Sequence, residues 1–253
     1  YGYNYQEHSG FGGRYGGRFR TQCRQERRKG NTPVISGGKE TVAKSIGEIP
    51  FIPVQLTAMD GISLYDDCVM LAYNKEVRRN CLPFTCGEND LDDFFLNDAD
   101  ELLGKTYCWV TTEIPHRIVA LFTLSNDSIK TRLISPNDKN RLQRNIVNPK
   151  RGRSYPAVLI GRLGVNLEYQ GTSSHVGRQL MAFIKDWFRH EDNKTGCRFI
   201  VVDAYNEEKI LRYYERNGFV PLYKTDVIEK QYYDIPQDEP LKTRLLYFDL
   251  KKD

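Results

Sequence analysis

The sequence predicts an α+β domain, a mixed β-sheet layered against helices, carried behind a polar N-terminal extension. Three observations lead there. Residues 156–165 form an apolar run broken only by Arg162 and small residues, short enough for a buried strand and too short for a membrane span. From Val176 the apolar side chains fall at Val176, Leu180, Ile184, Trp187 and Phe188, the spacing of a helix with one buried face. Residues 198–204 then return to a β-branched strand, and a further helical pattern follows.

In chain order, the extension comes first. Its opening is rich in Gly, Tyr and Arg with no helical or strand period, a composition that cannot repay the entropy of ordering. Residues 1–48 are therefore expected as a disordered tail and linker, and 49–253 as the folded domain. Residues 1–30 hold seven Lys or Arg and two acids, while the whole chain is only +4, so the basicity belongs to the tail. Arg-Gly-aromatic tracts suit loose RNA contacts; an extension without a dedicated role is the alternative.

Composition excludes several classes. No stretch reaches the ~18 apolar residues of a membrane span, and the first thirty residues lack the apolar core of a secretory signal. Six cysteines are scattered with no C-x-x-C pair, which fits reduced thiols and a cytoplasmic location. His8, His116, His175 and His190 are too widely spaced to suggest a zinc site, so no metal is expected.

Ile49–Leu56 and Cys68–Tyr73 are both consistent with a first strand. After Cys86 and Gly87, a helix opening at Glu88 and Asn89 places Leu91, Phe94, Phe95, Ala99, Leu102 and Leu103 on one face, with acids in its first turns where the helix dipole favours them. Thr106–Thr112 and Ile118–Ser125 read as a hairpin around Pro115. Ser128–Arg153 then holds eight Lys or Arg against Asp138 alone. Such a segment is either the rim of a site or a solvated face.

Between the run ending at Val165 and the helix opening at Val176 lies a string of small residues from Gln170 to Gly177. A strand-to-helix junction exposes unpaired backbone N–H groups at the positive end of a helix dipole, a combination that suits a phosphate or diphosphate. A tight loop with a Ser or Thr helix cap is the plainer reading. Arg198–Ala204 fits a parallel neighbour of 156–165. The helix Asn206–Asn217 ends at Gly218, and Tyr233 with Leu241–Leu250 supplies closing antiparallel material.

The stretch IGRLGVNLEYQG followed by a helix resembles the acetyl-CoA-binding core of the GNAT acetyltransferases, whose motif reads L-x-V, then Q or R-x-x-G-x-G or A, then a helix. Here two further residues separate Gln170 and Gly171 from Gly177, and Ser and His stand where that family usually has Gly. Phe84-x-Cys86-Gly87, followed by Leu91-Asp92 and Phe94-Phe95, resembles the opening of the TacT-like branch, which comprises the acetyltransferase toxins of bacterial toxin–antitoxin pairs and their non-toxin relatives. The likeness runs from Phe84 to Leu250, with four phrases in the expected order.

The resemblance implies a GNAT fold, a mixed central sheet with a splayed parallel strand pair flanked by helices, and acetyl-CoA as acetyl donor. Leu163, Gly164 and Val165 would line the pantetheine arm. Gln170, Gly171, Thr172, Ser173, Ser174, His175, Val176, Gly177 and Arg178 would hold the phosphates, and Asn206 would touch the arm. Tyr214, four residues before Gly218-Phe219, would donate a proton to the leaving thiolate, with Tyr213 as its competitor. No general base is evident, though Glu168 and Asp203 stand near the right strand ends.

In the TacT-like branch a basic insert before the cofactor strand goes with tRNA substrates, which would make Lys130, Arg132, Arg141, Arg144, Arg151 and Arg153 acceptor contacts. Implied partners are acetyl-CoA, tRNA, an antitoxin protein and a second copy of the chain, with no membrane. The function expected is N-acetylation of a primary amine, that of aminoacyl-tRNA in the sharper form. A metabolite or protein N-acetyltransferase without toxicity and a non-catalytic RNA-binding protein of the same fold are the rivals.

Overall fold

The computed structural model describes residues 61–251 except 102, 103, 132, 133, 145, 147, 148, 150–153 and 194, all within one compact unit, Pro53–Asp253. The tail and linker expected over 1–48, and the alternative first strand Ile49–Leu56, lie outside the described residues.

The sheet has seven strands: β1 Cys68–Ala72, β2 Lys105–Thr111, β3 Ile118–Ile129, β4 Tyr155–Val165, β5 Phe199–Tyr205, β6 Val220–Pro221 and β7 Thr243–Asp249, in the spatial order β1-β2-β3-β4-β5-β7-β6. All pairings are antiparallel except β4 with β5. That parallel contact is brief, Ala157 to Ile160 against Phe199 to Val202. Beyond it the two strands part. Leu163, Gly164 and Val165 stay on β3, opposite Phe122, Leu121 and Ala120, while Asp203, Ala204 and Tyr205 stay on β7, opposite Leu245, Arg244 and Thr243.

Helices cover both faces. On one lie α1 Leu64–Asp67, α5 Val176–Arg189 and α6 Glu208–Arg216. Val176, Leu180, Met181 and Ile184 of α5 are at most 1% exposed and pack with Ala120, Phe122, Ile160 and Val202, so the helical stripe read from sequence is the buried face. On the other, α4 Pro136–Gln143 and α7 Asp226–Tyr232 cover Phe199, Val201 and Tyr247. The short helix α3 Asn89–Asp93 widens into a π-helical turn, Phe94–Asp98, whose Phe95 packs on Cys108, Val110, Ile118 and Leu121. A six-residue helix, α2 Lys75–Asn80, capped by Asn74, precedes it in the chain.

Several expectations are corrected. The helix after Gly87 starts at Asn89 as expected, but it changes to π geometry at Phe94; Leu102 and Leu103 lie outside the described residues. The segment from Ser128 is only partly an insert: Ser128 and Ile129 finish β3, and Pro136–Gln143 is a helix whose N-cap, Ser135, accepts from the Asp138 N–H. Tyr233 is not strand material. It ends α7, stacked edge-on to Tyr232, with its N–H bonded to the Glu229 carbonyl. α7 exists because Thr225 caps its start and the wholly buried Glu229 bonds the Arg244 guanidinium and the Leu245 N–H of β7.

Candidate active site

Where β4 and β5 part, a cleft of about 1260 Å³ opens, larger than the ~300–1,000 Å³ of most small-ligand pockets. Ile160, Gly161 and Leu163 to Val165 form one side and Val202 to Tyr205 the other. Its far end is the junction before α5 and the face of α6. Of the cofactor residues expected from sequence, Leu163, Gly164, Val165, Gln170, Gly171, Thr172, His175, Val176, Gly177 and Arg178 line it.

The junction does not fold inward to fill this space. It turns twice through left-handed backbone, at Gly171 (φ 69°) and His175 (φ 48°). The second position explains why the related motif prefers glycine there: an L-residue in this region costs roughly 1–2 kcal/mol. His175 is the N-cap of α5 yet gives its first turn no side-chain hydrogen bond. The N–H groups of Arg178 and Gln179 share the His175 carbonyl, at 2.8 and 3.2 Å. Val176 and Gly177, preceding them, open the helix and have no intrahelical carbonyl to bond, the arrangement that suits an anion at a helix start, and both line the cleft.

Four of the expected residues depart from that role: Asn206, Ser173 and Ser174 lie outside the lining, and Gln170 borders the cleft with its amide engaged elsewhere. The Gln170 amide turns away from the junction, donating to the Cys86 carbonyl at 2.8 Å and the Val165 carbonyl at 2.7 Å, so it clamps the end of β4 rather than reaching for a phosphate. Asn206 donates to the Leu241 carbonyl at 2.9 Å and does not line the cleft; one residue further from Tyr214 than usual, it is drawn to the strand approaching β7. Ser174 accepts from the Gly61 N–H at 3.2 Å, and its carbonyl accepts from Gln179 at 2.7 Å, which turns it toward the start of the described chain. Ser173 is exposed and outside the lining.

Cys86, Glu88 and Leu91 also line the cleft. Sequence reasoning used their phrase only as a family mark and gave it no part in the site. The loop lies on β4: a Cβ on Gly164 would come within 3.2–3.3 Å of Cys86 Cβ, Cys86 Sγ and Phe84 Cζ. The Leu167 N–H donates to the Thr85 carbonyl at 2.9 Å. Two phrases eighty residues apart in the chain are therefore one physical unit. Asp92 organises it, accepting from the Cys86 N–H at 2.8 Å, the Cys86 thiol at 3.1 Å and the Thr85 hydroxyl. Burial acts to raise the Asp92 carboxyl pKa, but these donors outweigh it and hold it below the usual range. Burial pushes the Cys86 thiol up to about 12, so it is no nucleophile at neutral pH.

Tyr213 and Tyr214 both line the cleft, with rings edge-on at 5.1 Å. The Tyr213 hydroxyl donates to the Gly177 carbonyl at 2.7 Å. Tyr214 is 6% exposed, packed edge-on to Phe219, and burial raises its phenol well above the ordinary value, so it stays protonated at any physiological pH. Of the two carboxylates near the strand ends, Glu168 is occupied by the Arg117 guanidinium at 2.7 and 2.9 Å. Asp203 lines the cleft and is exposed.

The basic segment contributes less than its composition suggests. Arg132, Arg151 and Arg153 lie outside the described residues. Arg141 is turned inward, donating to the Pro221 and Leu222 carbonyls and pairing with Asp138. Lys130 and Arg144 are exposed, and neither lines the cleft. Among the described residues no cluster of His, Cys, Asp and Glu could hold a metal, and no helix is long and apolar enough to cross a membrane.

No protein-family model matches the sequence, and no curated protein does either. Solved structures do. A tyrosine-to-phenylalanine mutant of KacT is 18% identical, with 73% of this chain covering 96% of that one at a TM-score of 0.50. AtaT complexed with acetyl-methionyl-tRNAfMet is 19% identical over 73% and 96% of the two chains, with a TM-score of 0.49. AtaTR bound with AcCoA is 18% identical over 74% and 95%, with a TM-score of 0.47. The mixed sheet, its one short parallel pairing and its helix layers thus have the GNAT fold, as KacT does.

Proposed function

We propose that this chain is an N-acetyltransferase that moves the acetyl group of acetyl-CoA to a primary amine. The observation that carries the proposal is the cleft between the diverging β4 and β5, running to the first turn of α5, which has no side-chain cap. An extended pantetheine arm would lie along Leu163 to Val165, hydrogen-bonded by main-chain groups that have lost their neighbour on β5. The diphosphate would sit on the N–H groups of Val176 and Gly177, with Arg178 beside them.

A thioester is already reactive, so alignment supplies most of the rate. The amine attacks the carbonyl carbon, a C–N bond forms, and the tetrahedral adduct collapses by breaking its C–S bond. Tyr214 donates its phenolic proton to the departing thiolate, the proton lost by the amine leaves at the open end beside Asp203, and a proton from solvent restores the Tyr214 phenol. Products are an amide and coenzyme A. Tyr213 is the weaker candidate for proton donor because its hydroxyl already donates to Gly177.

The sharper form of the reading takes the α-amine of aminoacyl-tRNA as acceptor, with an antitoxin protein as natural partner. Its support is the Phe84–Gly87 phrase and the exposed Lys130 and Arg144. Purified protein would then arrest cell-free translation when acetyl-CoA is supplied and leave it running when acetyl-CoA is omitted. Translation that continues beside an enzyme demonstrably releasing coenzyme A would overturn that form. Absence of acetyl-CoA binding by calorimetry would overturn the acetyltransferase reading itself.

A further inference from the structure

The cleft is lined by four carboxylates, Glu88, Asp203, Glu207 and Glu208, and by four cations, Arg178, Lys209, Arg212 and Arg216, and three of the cations stand together on one wall. Helix α6 sets Lys209, Arg212 and Arg216 along a single stripe, three and four residues apart. All three are exposed and line the cleft. At a rise of about 1.5 Å per residue the stripe runs roughly 10 Å, long enough to offer an anion site separate from the α5 terminus. Arg178 adds a fourth cation from the first turn of α5.

Among the described residues, Arg212 shares an exposed ion pair with Glu208, and no described carboxylate pairs with Arg178, Lys209 or Arg216. The stripe is held at a fixed distance from the α5 terminus, because Tyr213 on the same helix bonds the Gly177 carbonyl. Lys209 and Arg216, without a carboxylate partner among the described residues and gathered with Arg212 on the wall of a cleft beside the α5 terminus, are arranged for an anion.

We propose that this stripe binds the 3′-phosphate monoester on the adenosine of coenzyme A, so that the chain selects the phosphorylated cofactor over its 3′-dephospho form. The inference rests on the acetyl-CoA reading and deepens it. A monoester carries close to two negative charges at neutral pH, more than any diester, and guanidinium forks match its oxygens. The side chains are exposed, so the preference weakens as salt rises.

Calorimetry on the full chain, at low and high salt, compares coenzyme A with 3′-dephospho-coenzyme A. The wild type binds coenzyme A about tenfold more tightly. In a Lys209→Gln/Arg216→Gln variant the preference disappears while dephospho-coenzyme A affinity is unchanged, and Arg212→Gln reduces it in part. An unshifted melting temperature shows that these exposed substitutions leave the fold intact. Equal affinities in the wild type, or variants that weaken both ligands alike, overturn the subsite and leave the acetyl-CoA reading standing. Failure to bind either ligand overturns both. Variants that keep the preference but lose binding of bulk tRNA assign the stripe to a nucleic acid and overturn the inference.

Discussion

The Tyr213 hydroxyl donates to the Gly177 carbonyl at 2.7 Å, and the ring beneath it lies 3.2 Å from where a Gly177 side chain would begin. The bond ties α6 to the first turn of α5. Its neighbour Tyr214 lines the same cleft, packed on Phe219. On the proposed reaction the adjacent phenols would serve one structural and one chemical task, and substitution separates them. Tyr214→Phe should lower kcat by about a hundredfold or more with coenzyme A affinity retained. Tyr213→Phe should cost about 1 kcal/mol of stability and weaken cofactor binding more than it slows turnover. Thiol release and chemical denaturation measure the two effects.

A methyl group at Gly164 would press on Cys86 and Phe84, which have little room to yield because Asp92 and Gln170 fix the loop. Gly164→Ala should therefore cost about 1–3 kcal/mol, the usual penalty of overpacking. Urea unfolding reads this directly. Gly171→Ala is the contrast: nothing lies within 4 Å of its added carbon, so only the left-handed backbone resists.

At His175 the backbone is left-handed and the side chain gives the helix no cap. His175→Gly should leave coenzyme A affinity within about twofold, since glycine enters this region freely. His175→Val should weaken it by about tenfold, because a β-branched residue pushes the turn out of that region and the two N–H groups no longer converge. Calorimetry on both variants checks the pair.

Cys86 faces the cleft with its thiol pushed up to about 12 by burial. Iodoacetamide at pH 8 should leave it unmodified in the folded protein while labelling it after denaturation, as peptide mapping by mass spectrometry would reveal. Cys86→Ala should retain most turnover. A loss comparable to that of Tyr214→Phe would mean that the thiol takes part in the reaction.

Lys185 of α5 donates to the Asn217 carbonyl and lies 4.3 Å from the centre of the Phe248 ring. Burial, with a smaller push from Arg189, lowers its ammonium from the ordinary 10.5 to about 8. Between those values the unfolded chain holds a proton that the folded chain has released, so this group makes stability rise with pH across that window. Lys185→Met removes the contribution. Relative to wild type, the variant should be most favoured near pH 7, and the gap should close toward pH 10 in urea titrations.

The parts of the fold legible in sequence are those with one strong period. β4, α5 and β5 follow from apolar spacing because each buries a continuous face. α7 was missed: its buried anchor is Glu229, and a charged residue that ends up at 0% exposure leaves no apolar trace. At the site, the junction before α5 was legible because small residues between a strand and a helix have few other uses. Gln170, Ser174 and Asn206 were not. Their side chains are set by carbonyls and N–H groups far along the chain, at Cys86, Gly61 and Leu241, and local spacing carries no record of those partners. The cleft-lining part of the Phe84–Leu91 phrase had one usable signal: a glycine in mid-strand at 164 often marks the close approach of another backbone or a ligand.

The parting of β4 from β5 beyond Ile160 and Val202 leaves the centre of the sheet, rather than its margin, unfinished. An extended molecule bearing amides would enter that gap as a surrogate strand, so occupancy and folding draw on one free energy: a hundredfold excess over Kd raises stability by about 2.7 kcal/mol. Amide protons at 161–165 and 203–205 that point into the seam would trade with deuterium early in the empty protein and late in the filled one. The gap in the middle of the described sheet would then let its occupant add to how firmly the fold is built.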